Sequence, residues 1–233
     1  MERLDKIVSN YTSYSRKEVK DLIKKKRIKV NDDLALKPEQ KVDEEKDVIK
    51  KDDDVLSIKK NIYIVMNKPK GYITATKDYS QETVIDLLDE DYFIYDIFPV
   101  GRLDKDTTGL LILTNDGAFS HEIVSPRKEH IKVYIADLDS EITDKMIKGF
   151  EIGVKLDDGT VCKKAKLENI DAKKARVTIT EGKYHQVKRM FEAFDAKVLN
   201  LKRIQIGNFC LPEDIEEGEY RELTDEELEM IKN

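Results

Sequence analysis

The chain has 233 residues, 39% of them hydrophobic and 39% charged, with a net charge of −6, a size that supports one large domain or two smaller ones around a substantial core. No run of about 18 apolar residues exists, which excludes a membrane-spanning helix. The opening MERLDKIVSNY lacks an apolar signal core, and the two cysteines cannot build a disulfide framework, so the expected compartment is the cytoplasm.

The net charge does not exclude a polyanionic partner. Residues 1–30 hold ten Lys/Arg against four Asp/Glu, whereas the tail from Glu213 onward is mostly acidic, and local patches decide where a polyanion docks. Cys162, Cys210, His121, His130 and His185 show no metal-ligand spacing, so no metal site is expected.

Leu4, Ile7, Val8 and Tyr11 fall at i, i+3, i+4 and i+7, which predicts a short amphipathic helix. A second helix starts at Ser15. Ser15-Arg16-Lys17-Glu18 fits a capping box, Tyr14 and Val19 have the spacing of a hydrophobic staple, and Val19, Leu22 and Ile23 give the buried stripe. Arg16, Lys20 and Lys24 recur every four residues and share another face, with Arg27 close by. Such a face is either plain solvated surface or a set of phosphate contacts.

Ile28-Lys29-Val30 then alternates as a strand and Asn31-Asp32-Asp33 supplies turn residues, closing a compact unit near Ile58. The polar stretch 50–61 separates two apolar patterns and marks a boundary, as free linker or edge strand. Beyond it, residues 62–66 read as a buried strand stopped at Asn67-Lys68-Pro69. Residues 83–88 read as a short helix. Leu110-Leu111-Ile112-Leu113 is a strand closed by the turn signal Asn115-Asp116-Gly117. Residues 131–135 and 175–179 alternate as strands, and 185–194 have helical spacing, with Val187, Met190, Phe191 and Phe194 on one side. No regular βαβ rhythm emerges, so the expected fold class is α+β, in two parts spanning residues 1–58 and 59–233.

Two carboxylates stand out. Asp104 and Asp106 lie in Gly101-Arg102-Leu103-Asp104-Lys105-Asp106-Thr107-Thr108-Gly109-Leu110, just before an apolar strand. Nearby carboxylates permit acid–base or nucleophilic chemistry, but a charged surface turn has the same look. The whole string, preceded by Phe98-Pro99-Val100, is far more specific. It resembles the catalytic motif of RNA pseudouridine synthases, in which the aspartate of Gly-Arg-Leu-Asp attacks the nucleotide.

Further motifs follow in the family's order. Asn67-Lys68-Pro69-Lys70-Gly71-Tyr72 resembles the strand and turn that open the catalytic domain. Ser125-Pro126-Arg127 with Lys132-Val133-Tyr134 resembles the segment carrying the active-site tyrosine. Glu181-Gly182-Lys183-Tyr184-His185-Gln186-Val187-Lys188-Arg189-Met190-Phe191 resembles the segment supplying the basic partner of the aspartate. Residues 1–58, with Arg3-Leu4-Asp5-Lys6, Ser15-Arg16 and Val30-Asn31, resemble an S4 RNA-binding domain. An S4 module joined to this catalytic domain is similar to the RsuA branch, which modifies ribosomal RNA. Asp106-Thr107-Thr108, the string 184–188 and the lack of a long basic C-terminal extension favour the subgroup acting on 16S small-subunit rRNA over the one acting on 23S large-subunit rRNA.

The resemblance implies an S4 domain followed by a catalytic domain with a mixed, largely antiparallel sheet flanked by helices. It also implies isomerisation of a uridine to pseudouridine in ribosomal RNA or a pre-ribosomal particle. No redox step is involved, so no cofactor and no metal is expected, nor a membrane, and the chain is expected to act as a monomer. Asp104 is then the nucleophile, with Lys188 as the neighbouring cation and Arg189 as the fallback. An adjacent cation keeps a carboxylate ionised, although Lys offers a point charge without the bidentate fork of the Arg that many relatives carry. Tyr134, by pattern a strand-core residue, would stack on the uracil and take part in proton removal. Flipping the target base out of its stack costs a few kcal/mol, and Arg102 would fill or brace the vacated space, its alternative being a salt bridge within the turn.

Arg16, Lys20, Lys24 and Arg27 are the expected phosphate contacts, with Arg102 and Arg189 as substrate contacts. His185 is expected at a structural helix start, and the cysteines in the core. Two other classes are weaker. A non-catalytic S4-type assembly factor would not need Asp104, Tyr134 and Lys188 together, and a glycosidase using Asp104 with Asp106 would have to work without a single tryptophan.

Overall fold

The structure is a computed structural model describing every residue except Glu45, Ser57, Pro126 and Arg127. These residues form two compact units, Met1–Ile62 with Asp89–Asp96, and Tyr63–Leu88 with Ile97–Asn233. The return of residues 89–96 to the first unit is not included in a single boundary near residue 58.

The first unit contains β1 (Glu2–Arg3), α1 (Leu4–Tyr11), α2 (Arg16–Lys24), β2 (Ile28–Val30), β3 (Asp33–Leu34), β4 (Lys41–Val42), β5 (Ile49–Lys51) and β6 (Asp54–Val55). Helix α2 starts as its sequence dictates. Ser15 accepts from the Glu18 N–H, and Glu18 accepts in return from the Ser15 N–H at 2.7 Å, so two otherwise orphaned donors are satisfied. Strands β3-β2-β5-β6 form an antiparallel sheet. Asn31 and Asp32 take positive φ in the β2–β3 turn, as a tight hairpin with right-handed twist requires. The start of the polar stretch 50–61 is thus an edge hairpin. Leu4, Ile7, Val8, Val19, Ile23, Ile28 and Ile49 share one core. Asp5 is buried beneath Arg3, whose Nε and Nη2 each donate to it at 2.9 Å. Glu90–Tyr95 forms a 3₁₀ turn, and Tyr95 stacks on Tyr11 at 6.4 Å between ring centres.

The second unit contains β7 (Tyr63–Lys68), a 3₁₀ turn at Val84–Leu87, β8 (Phe98–Val100), β9 (Thr108–Thr114), α3 (Gly117–Val124), β10 (Lys132–Leu138), α4 (Asp144–Ile152), β11 (Lys166–Asp171), β12 (Lys174–Ile179), α5 (Gln186–Glu192), β13 (Val198–Ile206), β14 (Phe209–Cys210), β15 (Tyr220–Glu222) and α6 (Asp225–Lys232). Nine strands form one sheet in the order β11-β12-β10-β13-β9-β7-β15, with β8 also on β9 and β14 on β13. All pairs are antiparallel except β13 with β9. The fold is therefore α+β with a mixed, largely antiparallel sheet.

Every residue of β9 is buried. Leu110 and Ile112 pack with Phe119, Ile123 and Ile231 from α3 and α6, while Leu111 and Leu113 alternate onto the opposite face. The parallel approach of β13 demands a glycine. Gly109 has φ +98°, and a Cβ there would collide with the Arg203 carbonyl.

Two expectations are corrected. Asp116 does not close a simple turn after β9. Its carboxylate accepts from the N–H groups of Ala118 (2.9 Å) and Phe119 (3.1 Å), which makes it the cap of α3. Cys162 is buried, but Cys210 is exposed, because on the short strand β14 it is Phe209 that turns inward.

Candidate active site

Asp104 sits on the loop between β8 and β9, and the end of β7 holds that loop in place. Thr74 Oγ1 donates to the Leu103 carbonyl at 2.7 Å and accepts from the Leu103 N–H at 3.2 Å. The Gly71 N–H donates to the Lys105 carbonyl at 2.9 Å, and the Thr107 N–H turns back to the Asp104 carbonyl at 3.1 Å.

Beneath the loop lies a fully buried Lys68. Its Nζ donates to the carbonyls of Pro69 (2.9 Å), Thr107 (3.0 Å) and Lys105 (3.4 Å). Burial pushes the Lys68 ammonium down to about 8, against the opposing pull of Asp106 and Asp104. The sequence motif located this residue but carried no sign of its role.

The facing side is the start of α5. Buried Gln186 accepts from the Lys183 N–H at 2.9 Å and donates to Glu181 at 2.8 Å, and Glu181 accepts from the Lys163 N–H at 2.8 Å. This lock fixes the turn 181–186 and explains the Glu and Gln of the motif. His185 caps the helix with φ +48°.

The two sides meet at Asp104. Lys188 Nζ lies 3.0 Å from Asp104 Oδ2 and 2.6 Å from Asp106 Oδ1, and His185 Nε2 lies 3.4 Å from Asp104 Oδ1. Each oxygen of Asp104 thus faces its own nitrogen. Burial acts to raise the Asp106 carboxyl, but the Lys188 hydrogen bond and charge outweigh it and hold it below its ordinary value. Burial likewise opposes the charge on Lys188, and the hydrogen bonds it donates to Asp106 and Asp104 overcome it, so its ammonium is held above the usual range.

His185 is therefore placed against Asp104, beyond the purely structural role expected at a helix start. Arg189 is not the partner of Asp104, because its guanidinium pairs with Asp157 and with Asp158 at 2.7 Å. That pairing also occupies it as a substrate contact. The next residue along α5 points about 100° away, so one helix sends Lys188 to the loop and Arg189 elsewhere.

Tyr134 is buried on β10, paired across β13 with Arg203, which in turn pairs with Gly109 of β9. Two strand spacings of about 4.8 Å separate the Tyr134 and Gly109 backbones. Its hydroxyl has no hydrogen-bond partner among the described residues. Arg203 is buried, with Nε donating to the Leu110 carbonyl at 2.7 Å. Burial and the Arg203 charge push Lys132 down to about 8. Arg102 is exposed and forms no salt bridge among the described residues, so its alternative role within the turn is not seen. The Pro126-Arg127 part of the tyrosine motif lies outside the described residues.

In the first unit, Arg16, Lys20 and Lys24 lie exposed on α2 without ion-pair partners among the described residues. Arg27 differs. Its Nε donates to Asp52 at 2.8 Å and its Nη2 at 2.5 Å, so it carries an ion-pair partner on the exposed surface.

Residues 62–193 match the RNA pseudouridylate synthase family, and residues 2–49 match the S4 domain. A relative from Bacillus subtilis, the uncharacterized RNA pseudouridine synthase YtzG, is 40% identical over 98% of each chain. The ribosomal small subunit pseudouridine synthase A of Escherichia coli is 38% identical, covering 98% of this chain and 99% of its own. A crystal structure of a pseudouridylate synthase aligns with a TM-score of 0.70 at 35% identity, over 99% of this chain and all of the other. The chain belongs to the S4-bearing RsuA family of RNA pseudouridine synthases, and is an isomerase acting on RNA.

Proposed function

We propose that this enzyme isomerises a uridine of 16S small-subunit rRNA, free or within a pre-ribosomal particle, with Asp104 as nucleophile. The carrying observation is the carboxylate of Asp104 held between Lys188 at 3.0 Å and His185 at 3.4 Å. Full-length similarity to small-subunit enzymes supports the choice of RNA.

With the uridine flipped toward the loop, an Asp104 oxygen bonds to the nucleotide and the N1–C1′ bond breaks, its electron pair staying on the uracil. The uracil turns, C5 bonds to C1′, and the carboxylate leaves. The C5 proton is then removed and a proton returns to N1, so atoms and charge balance as an isomerisation. Lys188 sets a positive charge 3.0 Å from the Asp104 carboxylate, and the exposed Arg102, without a salt bridge among the described residues, is placed to enter the space that the base vacates. Mapping pseudouridine in the rRNA of cells with and without this protein tests the target. A missing modification in large-subunit rRNA alone would overturn the small-subunit reading.

Tyr134 receives the proton-transfer role. Since its hydroxyl has no hydrogen-bond partner among the described residues, Tyr134→Phe is expected to melt like the parent while turnover falls about 10²-fold or more. Parental turnover in a single-turnover assay would leave the ring with a packing role only.

Arg16, Lys20 and Lys24 receive the phosphate role. Lys20→Ala with Lys24→Ala is expected to weaken rRNA binding and to reduce the slope of log affinity against log salt by roughly 1.5. An unchanged slope in filter-binding titrations would remove this face from the RNA surface.

A further inference from the structure

Tyr184 is 73% exposed, although it immediately precedes the site. A single exposed aromatic is ordinary; the surroundings of this one are not. Its ring lies 3.8 Å from that of His185, with 19° between the planes, so one face is covered and the other is left to solvent. His185 in turn reaches to 3.4 Å from the Asp104 carboxylate.

The turn beneath the pair is held in place: His185 takes a positive φ, and the Glu181–Gln186 hydrogen bond fixes the backbone below. A cation, Lys188, lies beside the same carboxylate.

We propose that Tyr184 and His185 form a stacking platform for a nucleobase that flanks the isomerised uridine in the RNA. A base laid on the outer face of Tyr184 stands roughly twice the 3.8 Å ring spacing from the His185 plane. Through His185 that face adjoins Asp104, beside a uridine seated there. Unstacked RNA bases are received by aromatic side chains in this manner. The platform therefore reads the loop conformation of the RNA, because only a base already splayed from its neighbours can lie on it. It rests on the family's RNA substrate and not on the choice of ribosomal subunit.

The test uses the full chain with unmodified transcripts of 16S and 23S rRNA. Tyr184→Ala is expected to weaken binding to the modified transcript about tenfold and to raise KM more than it lowers kcat. The salt slope stays the same, because stacking releases no counterions. Tyr184→Phe restores the affinity. Parental affinity in Tyr184→Ala, a salt slope that falls with the affinity, or failure of Tyr184→Phe to restore binding would each overturn the platform. Which transcript the parent modifies is a separate readout: modification of 23S alone sinks the small-subunit reading and leaves the comparison of variants intact.

Discussion

Asp104→Asn is expected to fold, to bind RNA, and to form no pseudouridine. The substitution is nearly isosteric and removes only the charge. Lys188 keeps a carboxylate at 2.6 Å in Asp106, and partly exposed ion pairs contribute only about 1 kcal/mol or less, so the melting temperature is expected to move little. RNA affinity is expected to hold or rise slightly, since a carboxylate that repels phosphates is gone. Catalysis loses its nucleophile, and a fall of about 10⁴-fold or more follows, read as pseudouridine formed on rRNA by each purified variant. Asp106→Asn is the control. Asp106 is exposed and competes with Asp104 for Lys188, so its amide is expected to leave activity within a few fold of the parent. Substantial product from Asp104→Asn would end the case for a carboxylate nucleophile.

The second large effect is expected at Lys68. Lys68→Met removes the donor shared by three carbonyls; that of Lys105 keeps the Gly71 N–H, but those of Pro69 and Thr107 are stranded, at about 1–3 kcal/mol for each left unsatisfied, partly offset by relief from burying an ammonium. A loop freed by even about 1 Å costs roughly 10²-fold in rate, and a loss of that size in kcat is the expected result, with a lower melting temperature.

Lys68 also gives a pH signature. Its folded-state value of about 8 lies below the usual 10.5, so between these limits the unfolded chain binds more protons. The contribution of this group to stability therefore rises with pH across that window. Activity is expected to move the other way, falling as pH passes through about 8, because a neutral amine has too few donors for three carbonyls. Lys132 is also pushed down to about 8, so Lys132→Met serves to assign the limb. If the limb disappears only in Lys132→Met, the bracing role of Lys68 is lost.

The sequence carried some of these features openly and hid others. Helix α2 was legible because capping is local, residing in Ser15 and Glu18, and β9 because four consecutive apolar residues admit few other readings. Helix α6 had an equally local signal in Thr224 and Glu227, which form a capping box, but the acidic run around them reads first as charge. Asp116 followed by Gly117 is ambiguous between a turn and a cap, and only the chain beyond it decides.

Asp104 and Lys188 were legible as a pair through motif order. The competing options for the pair were not, since Lys188 and Arg189 are neighbours and only the phase of α5 tells them apart. Lys68 was legible as part of a motif and silent as a buried cation, because three carbonyls from distant residues have no sequence signature. His185 was legible as a helix start, but its approach to Asp104 was not, because it depends on a left-handed backbone that the residue type does not announce.

The parallel pairing of β9 with β13 has a consequence for how the molecule is made. Arg203 and Leu110, which hydrogen-bond across that pair, are 93 residues apart, and the outer strand β15 reaches β7 later still. Contacts so distant in sequence form slowly, after the entropy of closing a long loop has been overcome. A nascent chain halted before Val198 would lack the partner of Thr108 and Gly109 at the start of β9, although β7 and β8 already pair with the rest of that strand. The nucleophile loop enters β9 at those same residues, so catalytic competence arrives only when nearly all of the sheet has been synthesised.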